Sequence, residues 1–305
     1  MQKILDDAIQ FGKHFISSGK PAIYIPELSK VNANQLGAVI VTLDGNVYCS
    51  GDYTSTFSMQ SVSKPVALML AIKDRGEDFV FNKVGMEPTG DAFNSIIKLE
   101  TIKPSKPLNP MINAGAIAID SFILGNNVHE RFKRLIQFFR KISGNDSLWY
   151  NHDIYKSENE TGYRNRALAN FMKDNGILEG HVEEVLELYF KQCSIEVNCE
   201  DIATIGAVLA ADGLNPLNNE KIVNKHIANL VKTFMVTCGM YDASGEFAVK
   251  VGIPAKSGVG GGILAAVPGR MGIGVFSPAL DEKGNSTAGV KVLEYLSKEL
   301  DLSIF

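Results

Sequence analysis

Cysteine is scarce: four residues in 305, Cys49, Cys193, Cys199 and Cys238, with no Cys-x-x-Cys spacing and no neighbouring histidine. That excludes a disulfide framework and a thiolate metal centre, and the four are read as reduced core thiols of a cytoplasmic protein. The five histidines are scattered without any ligand spacing, so no metal is expected. Basic excess is also missing, since the net charge is −4, and nucleic acid has no electrostatic footing as a partner. Apolar runs such as Pro65 to Ile72 and Gly262 to Val267 fall far short of the ~20 residues that span a bilayer. The start, Met1 to Ala8, carries acidic residues where a secretory signal would be basic and then apolar, which supports a cytoplasmic location. No internal repeat and no P-loop occurs. The run Gly258 to Gly262 misses the dinucleotide fingerprint because its sixth position is Ile263 and no helix is evident after it.

What is present is an ordinary globular composition, 45% hydrophobic and 21% charged, in a chain long enough for one large domain or two packed lobes. The stretch from Phe57 to Ile72 concentrates the chemistry. Ser61 and Lys64 stand three residues apart, on one face if the run is helical. Pro65 is tolerated only in a first turn, so the helix starts at or next to Ser61, whose N–H is then an open donor at the positive helix end. The apolar run after Pro65 reads as a buried helix, and a lysine at its mouth is partly desolvated, which favours the neutral, basic form. Ser-x-x-Lys also arises by chance, and serine is a common helix cap.

Residues 2 to 18 have the spacing of an amphipathic helix, and Pro21 to Leu28 that of an extended connector. Gly37 to Leu43 and Val47 to Cys49, joined by Asp44-Gly45, read as a β-hairpin. Helical patterns then dominate, at Val128 to Ile142, Arg166 to Asp174, Val182 to Phe190 and Asp201 to Ala211. Strand character is expected from about Phe234, in Phe247 to Val251, Gly262 to Val267 and Gly272 to Phe276, before a closing helix at Ser286 to Leu300. The expected architecture is α+β: an antiparallel sheet from residues 1–60 and 232–305, flanked by terminal helices, with a helical lobe, 61–231, inserted in a single domain.

Ser-x-x-Lys at a helix start, followed by Lys256-Ser-Gly258 on a strand edge, resembles the penicillin-recognising serine enzymes with their β-lactamase/transpeptidase-like fold. More specifically, the chain resembles the serine-dependent glutaminases. The matching segments, in the family's order, are Tyr24-Ile-Pro-Glu-Leu28, Gln60-Ser-Val-Ser-Lys64, Asn109-Pro-Met-Ile-Asn-Ala-Gly-Ala-Ile117, Ser157-Glu158 with Thr161-Gly-Tyr-Arg-Asn-Arg-Ala167, Tyr189 to Val197, Cys238 to Phe247, and Pro254-Ala-Lys-Ser-Gly-Val259. The resemblance implies hydrolysis of L-glutamine to L-glutamate and ammonia, with Ser61 as nucleophile and Lys64 as base. It implies an oxyanion hole from the N–H groups of Ser61 and Val259 and substrate contacts at Tyr24, Asn113, Glu158, Asn165, Tyr189, Tyr241 and Val259. It further implies a homodimer or homotetramer and no cofactor.

The residue types suit that substrate independently. Glutamine presents an ammonium, a carboxylate and an amide, so Glu158 can meet the ammonium while asparagines and tyrosines donate to the carboxylate. Tyr241 could relay a proton to the leaving ammonia, and a cationic Lys256 could lower the Lys64 pKa. Two alternatives use the same fold: a β-lactamase-like hydrolase, and a non-catalytic glutamine-binding protein.

Overall fold

Helix α1 (Gln2–Lys13) buries Leu5, Ala8, Ile9 and Gly12 on one face in a computed structural model that describes every residue of the chain except residue 102. It ends earlier than expected, and residues 16–18 form a separate 3-10 turn. The hairpin follows as read, with β1 (Gly37–Thr42) antiparallel to β2 (Val47–Gly51). Short β3 (Phe57–Ser58) leads through a 3-10 turn at Gln60–Ser63 into α2 (Lys64–Arg75). Next come α3 (Glu77–Lys83), α4 (Ile97–Thr101), α5 (Asn113–Phe122), α6 (Val128–Ser143), α7 (His152–Thr161), α8 (Tyr163–Asp174) and α9 (Val182–Cys193). Two-residue β4 (Glu196–Val197) pairs with β3, ahead of α10 (Cys199–Ala210), α11 (Lys225–Cys238) and α12 (Ser244–Lys250). Strands β5 (Ala255–Ser257), β6 (Gly262–Val267) and β7 (Met271–Phe276) precede the closing helix α13 (Thr287–Leu300).

Two stretches expected to be strands are helices. In α11 the buried positions Ile227, Ala228, Val231, Phe234, Met235 and Cys238 recur at helical spacing, and Phe234 lies in mid-helix. In the stretch 247–251, Phe247 and Val251 are buried while Val249 between them is 87% exposed. A strand would put all three on one face. The i, i+4 pair selects the helical period, and the β-branched valines do not override it.

The five-stranded sheet has the order β2-β1-β7-β6-β5, and every neighbouring pair is antiparallel. Alternation along the strands sorts the core. Ala38, Ile40, Ile263, Ala265, Ile273 and Val275 pack with Leu5 and Ile9 of α1 and Leu293 and Leu296 of α13. Val39, Val41, Leu264, Ala266 and Phe276 face the opposite way, into the core shared with the helices inserted between β2 and β5. There α10 lies directly on the sheet: a Cβ at Gly272 would stand 2.0 Å from the Ala207 nitrogen, and one at Gly274 2.1 Å from the Cys199 oxygen. The result is the expected α+β architecture, a sheet with terminal helices on one face and a helical lobe on the other. Every residue of α2 from Lys64 to Ile72 is buried, so this helix is fixed from all sides and holds the turn before it in place. No helix among the described residues is long and apolar enough to cross a membrane.

Candidate active site

The turn before α2 is built on a left-handed residue. Gln60 has φ 48°, a conformation that costs a non-glycine residue about 1–3 kcal/mol, and it opens the 3-10 turn that carries Ser61. Among the described residues, the Ser61 N–H donates to no backbone carbonyl. Neither does the Val259 N–H, which approaches from the end of β5. What brings the two together is Gly258: a Cβ there would lie 2.7 Å from the Met59 oxygen and 3.2 Å from the Val62 nitrogen. Ser61 and Val259 line one pocket of about 90 Å³, with two open N–H donors and one hydroxyl.

Lys64, 1% exposed, begins α2 one turn on. Its Nζ donates to Asn113 Oδ1 at 2.7 Å and to the Met111 carbonyl at 3.2 Å, and no hydrogen bond joins it to Ser61. Asn109 Oδ1 accepts from the Met111 and Ile112 N–H groups and so shapes the loop that presents that carbonyl. Burial pushes the Lys64 pKa down to about 8, against the opposing pull of Cys193, Asp120 and Glu158. A neutral amine has two N–H bonds and one lone pair; both N–H bonds have acceptors here, so the lone pair is what Lys64 has left to offer.

Lys256 is fully buried and donates to the carbonyls of Gly239 at 2.9 Å and Ser257 at 2.7 Å. Its pKa is held well below the usual lysine value by burial and then by Lys64. Burial is the first cause for both amines, and the two lysines repel each other as well. Lys256 Nζ sits 4.4 Å from the centre of the Tyr241 ring. Tyr241 has φ 56° and a buried hydroxyl without a hydrogen-bond partner of ordinary geometry. Burial raises its phenol pKa, while the nearby Ser61 hydroxyl and Val259 amide oppose the rise.

Glu158 of α7 is 5% exposed and accepts a 2.5 Å hydrogen bond from Gln60 Nε2. Burial pushes its pKa up to about 8, against the Gln60 bond and Lys64. Asn113, at the start of α5, bridges the base to the pocket wall, because its Nδ2 donates to Asn165 Oδ1 at 3.1 Å. Tyr189 is buried, its pKa raised well above the usual value by burial and then by Cys193 and Glu158. Tyr24 has half of its surface exposed and lines the same pocket; desolvation and then Tyr241 and Glu158 raise its pKa well above normal.

A family model described as Glutaminase matches residues 19–305. The chain belongs to the glutaminase family. It is 60% identical over 305 residues to a glutaminase of Clostridium botulinum (strain Kyoto / Type A2), covering 100% of both chains, and 56% identical, again covering 100% of both, to glutaminase 2 of Clostridium perfringens. Among solved structures it is similar to a Bacillus subtilis glutaminase in covalent complex with 5-oxo-L-norleucine, formed by reaction with 6-diazo-5-oxo-L-norleucine. That match has a TM-score of 0.90 at 40% identity and covers 100% of this chain and 99% of the other. The fold is thus the β-lactamase-like one of the bacterial glutaminases, and the chain is an enzyme that hydrolyses glutamine.

In this glutaminase the pocket gathers Tyr24, Ser61, Asn113, Glu158, Asn165, Tyr189 and Val259 from seven separate segments. Lys64, Tyr241 and Lys256 stand outside its lining. Sequence reasoning missed Gln60, Cys193 and Phe93. Gln60 lies beside Ser61, but nothing local shows that it meets a carboxylate 98 positions away. Cys193 reads as a core thiol, and at 3% exposure it is one that also forms pocket wall. Phe93 packs on Tyr241 with ring centres 4.9 Å apart.

Proposed function

We propose that L-glutamine is hydrolysed through a γ-glutamyl ester on Ser61, with Lys64 as the base. The observation that carries this reading is the Lys64 amine, buried, lowered to about 8 and with both neutral-form N–H bonds already accepted by Asn113 and Met111. Its lone pair takes the Ser61 proton as Oγ attacks the side-chain amide carbon. The oxyanion forms between the Ser61 and Val259 N–H groups. Collapse breaks the C–N bond, and the nitrogen leaves as ammonia with the proton from Lys64, passed on by the Tyr241 hydroxyl. Water then attacks the ester as Lys64 takes its proton, and Lys64 passes that proton to Ser61 Oγ as the C–O bond breaks, which releases glutamate and restores free Ser61 and the neutral amine.

Ionised Glu158 holds the substrate ammonium, and Tyr24, Asn113, Asn165 and Tyr189 hold the remaining polar groups of glutamine. Lys256, held by the Gly239 and Ser257 carbonyls, buttresses the Tyr241 ring. The covalent 5-oxo-L-norleucine adduct of the similar Bacillus subtilis enzyme accords with an attacking nucleophile. The reading also includes a cytoplasmic homodimer or homotetramer; all four thiols are unpaired, which suits a reducing compartment. An ammonia-release assay tests the mechanism. Ser61→Ala and Lys64→Ala should each abolish release from glutamine while the protein stays folded, and near-normal turnover in either variant would sink it.

A further inference from the structure

The Ser61 N–H, one of the two oxyanion donors, is half of a planar unit whose other half is the Gln60 carbonyl. This peptide is trans, so its N–H and C=O point in opposite directions, and whatever fixes the Gln60 carbonyl also aims the Ser61 N–H. The carbonyl heads the 3-10 turn Gln60–Ser63 and accepts the Ser63 hydroxyl at 2.7 Å. That hydroxyl has then committed its only proton and can still accept. Gln192 Nε2, reaching in from α9, donates to it at 3.0 Å. Both residues are fully buried, and they stand 129 positions apart in the chain. Two hydrogen bonds in series thus tie the peptide that carries the oxyanion donor to a second helix, the one that supplies Tyr189 and Cys193 to the pocket wall.

Stability alone would not select this arrangement. Gln192 Oε1 is buried and has no hydrogen-bond partner among the described residues. Because the Ser63 proton goes to Gln60, the amide must present Nε2 to Ser63 and cannot turn over to relieve its oxygen without breaking the series. A leucine of similar size would leave no polar atom unmet in that place. The turn that Gln192 braces is itself strained, since Gln60 sits at φ 48°. Two local rules broken together beside the nucleophile mark a functional constraint. We infer that Ser63 and Gln192 are positioning residues of the oxyanion hole, which hold the Gln60 carbonyl so that the Ser61 N–H stays aimed at the developing oxyanion. The inference rests on the oxyanion hole proposed above.

The test separates catalysis from folding, using the full chain and glutamine. Ser63→Ala removes the bond to the carbonyl and strands the Gln192 amide, so Tm and kcat should both fall. The loss in kcat should be about tenfold with KM nearly unchanged, less than the ~10²–10³ for losing a donor outright, because the backbone of the turn still directs the carbonyl. Adding Gln192→Leu makes both partners apolar: Tm should return towards the wild-type value while kcat stays as low as in Ser63→Ala. Gln192→Leu alone keeps the Ser63–Gln60 bond and should lower kcat only about threefold.

A pair that merely packs would regain kcat together with Tm in the double variant. That result, an unchanged kcat in Ser63→Ala, or equal changes in kcat and KM would overturn the inference. Gly258→Ala, which displaces the other donor, separates the two levels. If it lowers kcat and Ser63→Ala does not, the aiming role alone is refuted; if it leaves kcat intact, the oxyanion hole is wrong and the aiming role falls with it. Should Ser63→Ala fold poorly, the double variant and Gln192→Leu carry the comparison, and wild-type kcat in both would overturn the inference.

Discussion

Replacing Glu158 by Gln keeps the shape and the Gln60 contact but removes the charge assigned to the substrate ammonium, and it should move substrate affinity and apo stability in opposite directions. The carboxyl titrates at about 8 in the folded protein, against 4.5 when unperturbed. At pH 7 the wild type must therefore ionise it on binding, at about 1.4 kcal/mol, whereas at pH 8.5 little of that cost remains. A charge-assisted bond to the ammonium contributes about 1.5–3 kcal/mol. The variant should thus bind glutamine roughly 10- to 100-fold more weakly at pH 8.5, and at most about tenfold more weakly at pH 7. Calorimetric titration in a Ser61→Ala background reads this without turnover. Stability runs the other way. A folded pKa raised above the unfolded value favours folding fully below about pH 4.5, and that contribution is lost as pH rises through about 8. Substrate-free Glu158→Gln should then be the more stable protein at pH 8, the gap growing by up to about 1.4 kcal/mol per pH unit between those limits. Unchanged affinity at pH 8.5, or a variant less stable than wild type at pH 8, would refute the reasoning.

Two further outcomes follow from the same geometry. Because Lys64 must be neutral to accept the Ser61 proton and titrates at about 8, kcat/KM should rise with pH up to about 8, and a profile flat from pH 6 to 8 would remove Lys64 as the base. Gly258→Ala puts a Cβ 2.7 Å from the Met59 oxygen and displaces the Val259 N–H; kcat should fall about 10²–10³-fold with KM much less affected, and equal changes in both would count against the oxyanion hole.

Local pattern carried the elements whose periods were unambiguous. The hairpin around Asp44-Gly45, α6, α10 and α13 lie close to where their residues place them, and Pro65 located the turn that carries Ser61 into α2. The stretch 247–251 misled because three apolar residues alternate in both strand and helix, and only the exposure of Val249 decides between them. The candidate site was legible through its motifs, and the desolvation of Lys64 through the apolar run after Pro65, but the long-range contacts around these groups and the raised Glu158 carboxyl were not. That Lys64 meets Asn113, or Glu158 meets Gln60, depends on contacts 49 and 98 positions apart, and burial, which lowers both lysines and raises the carboxyl, exists only once α2, α5, α7 and β5 have packed. The left-handed backbones of Gln60 and Tyr241 likewise have no local signal, since neither residue type favours that conformation.

The central claim is that the Ser61 oxygen becomes covalently bonded to the acyl group of the substrate. Peptide mass spectrometry after reaction with 6-diazo-5-oxo-L-norleucine tests it most directly. The account predicts one 5-oxo-L-norleucine adduct per chain, with loss of dinitrogen, on the peptide containing Ser61, blocked by excess glutamine and absent from Ser61→Ala. An adduct on Cys193, the thiol in the same pocket, or undiminished labelling of Ser61→Ala, would contradict it.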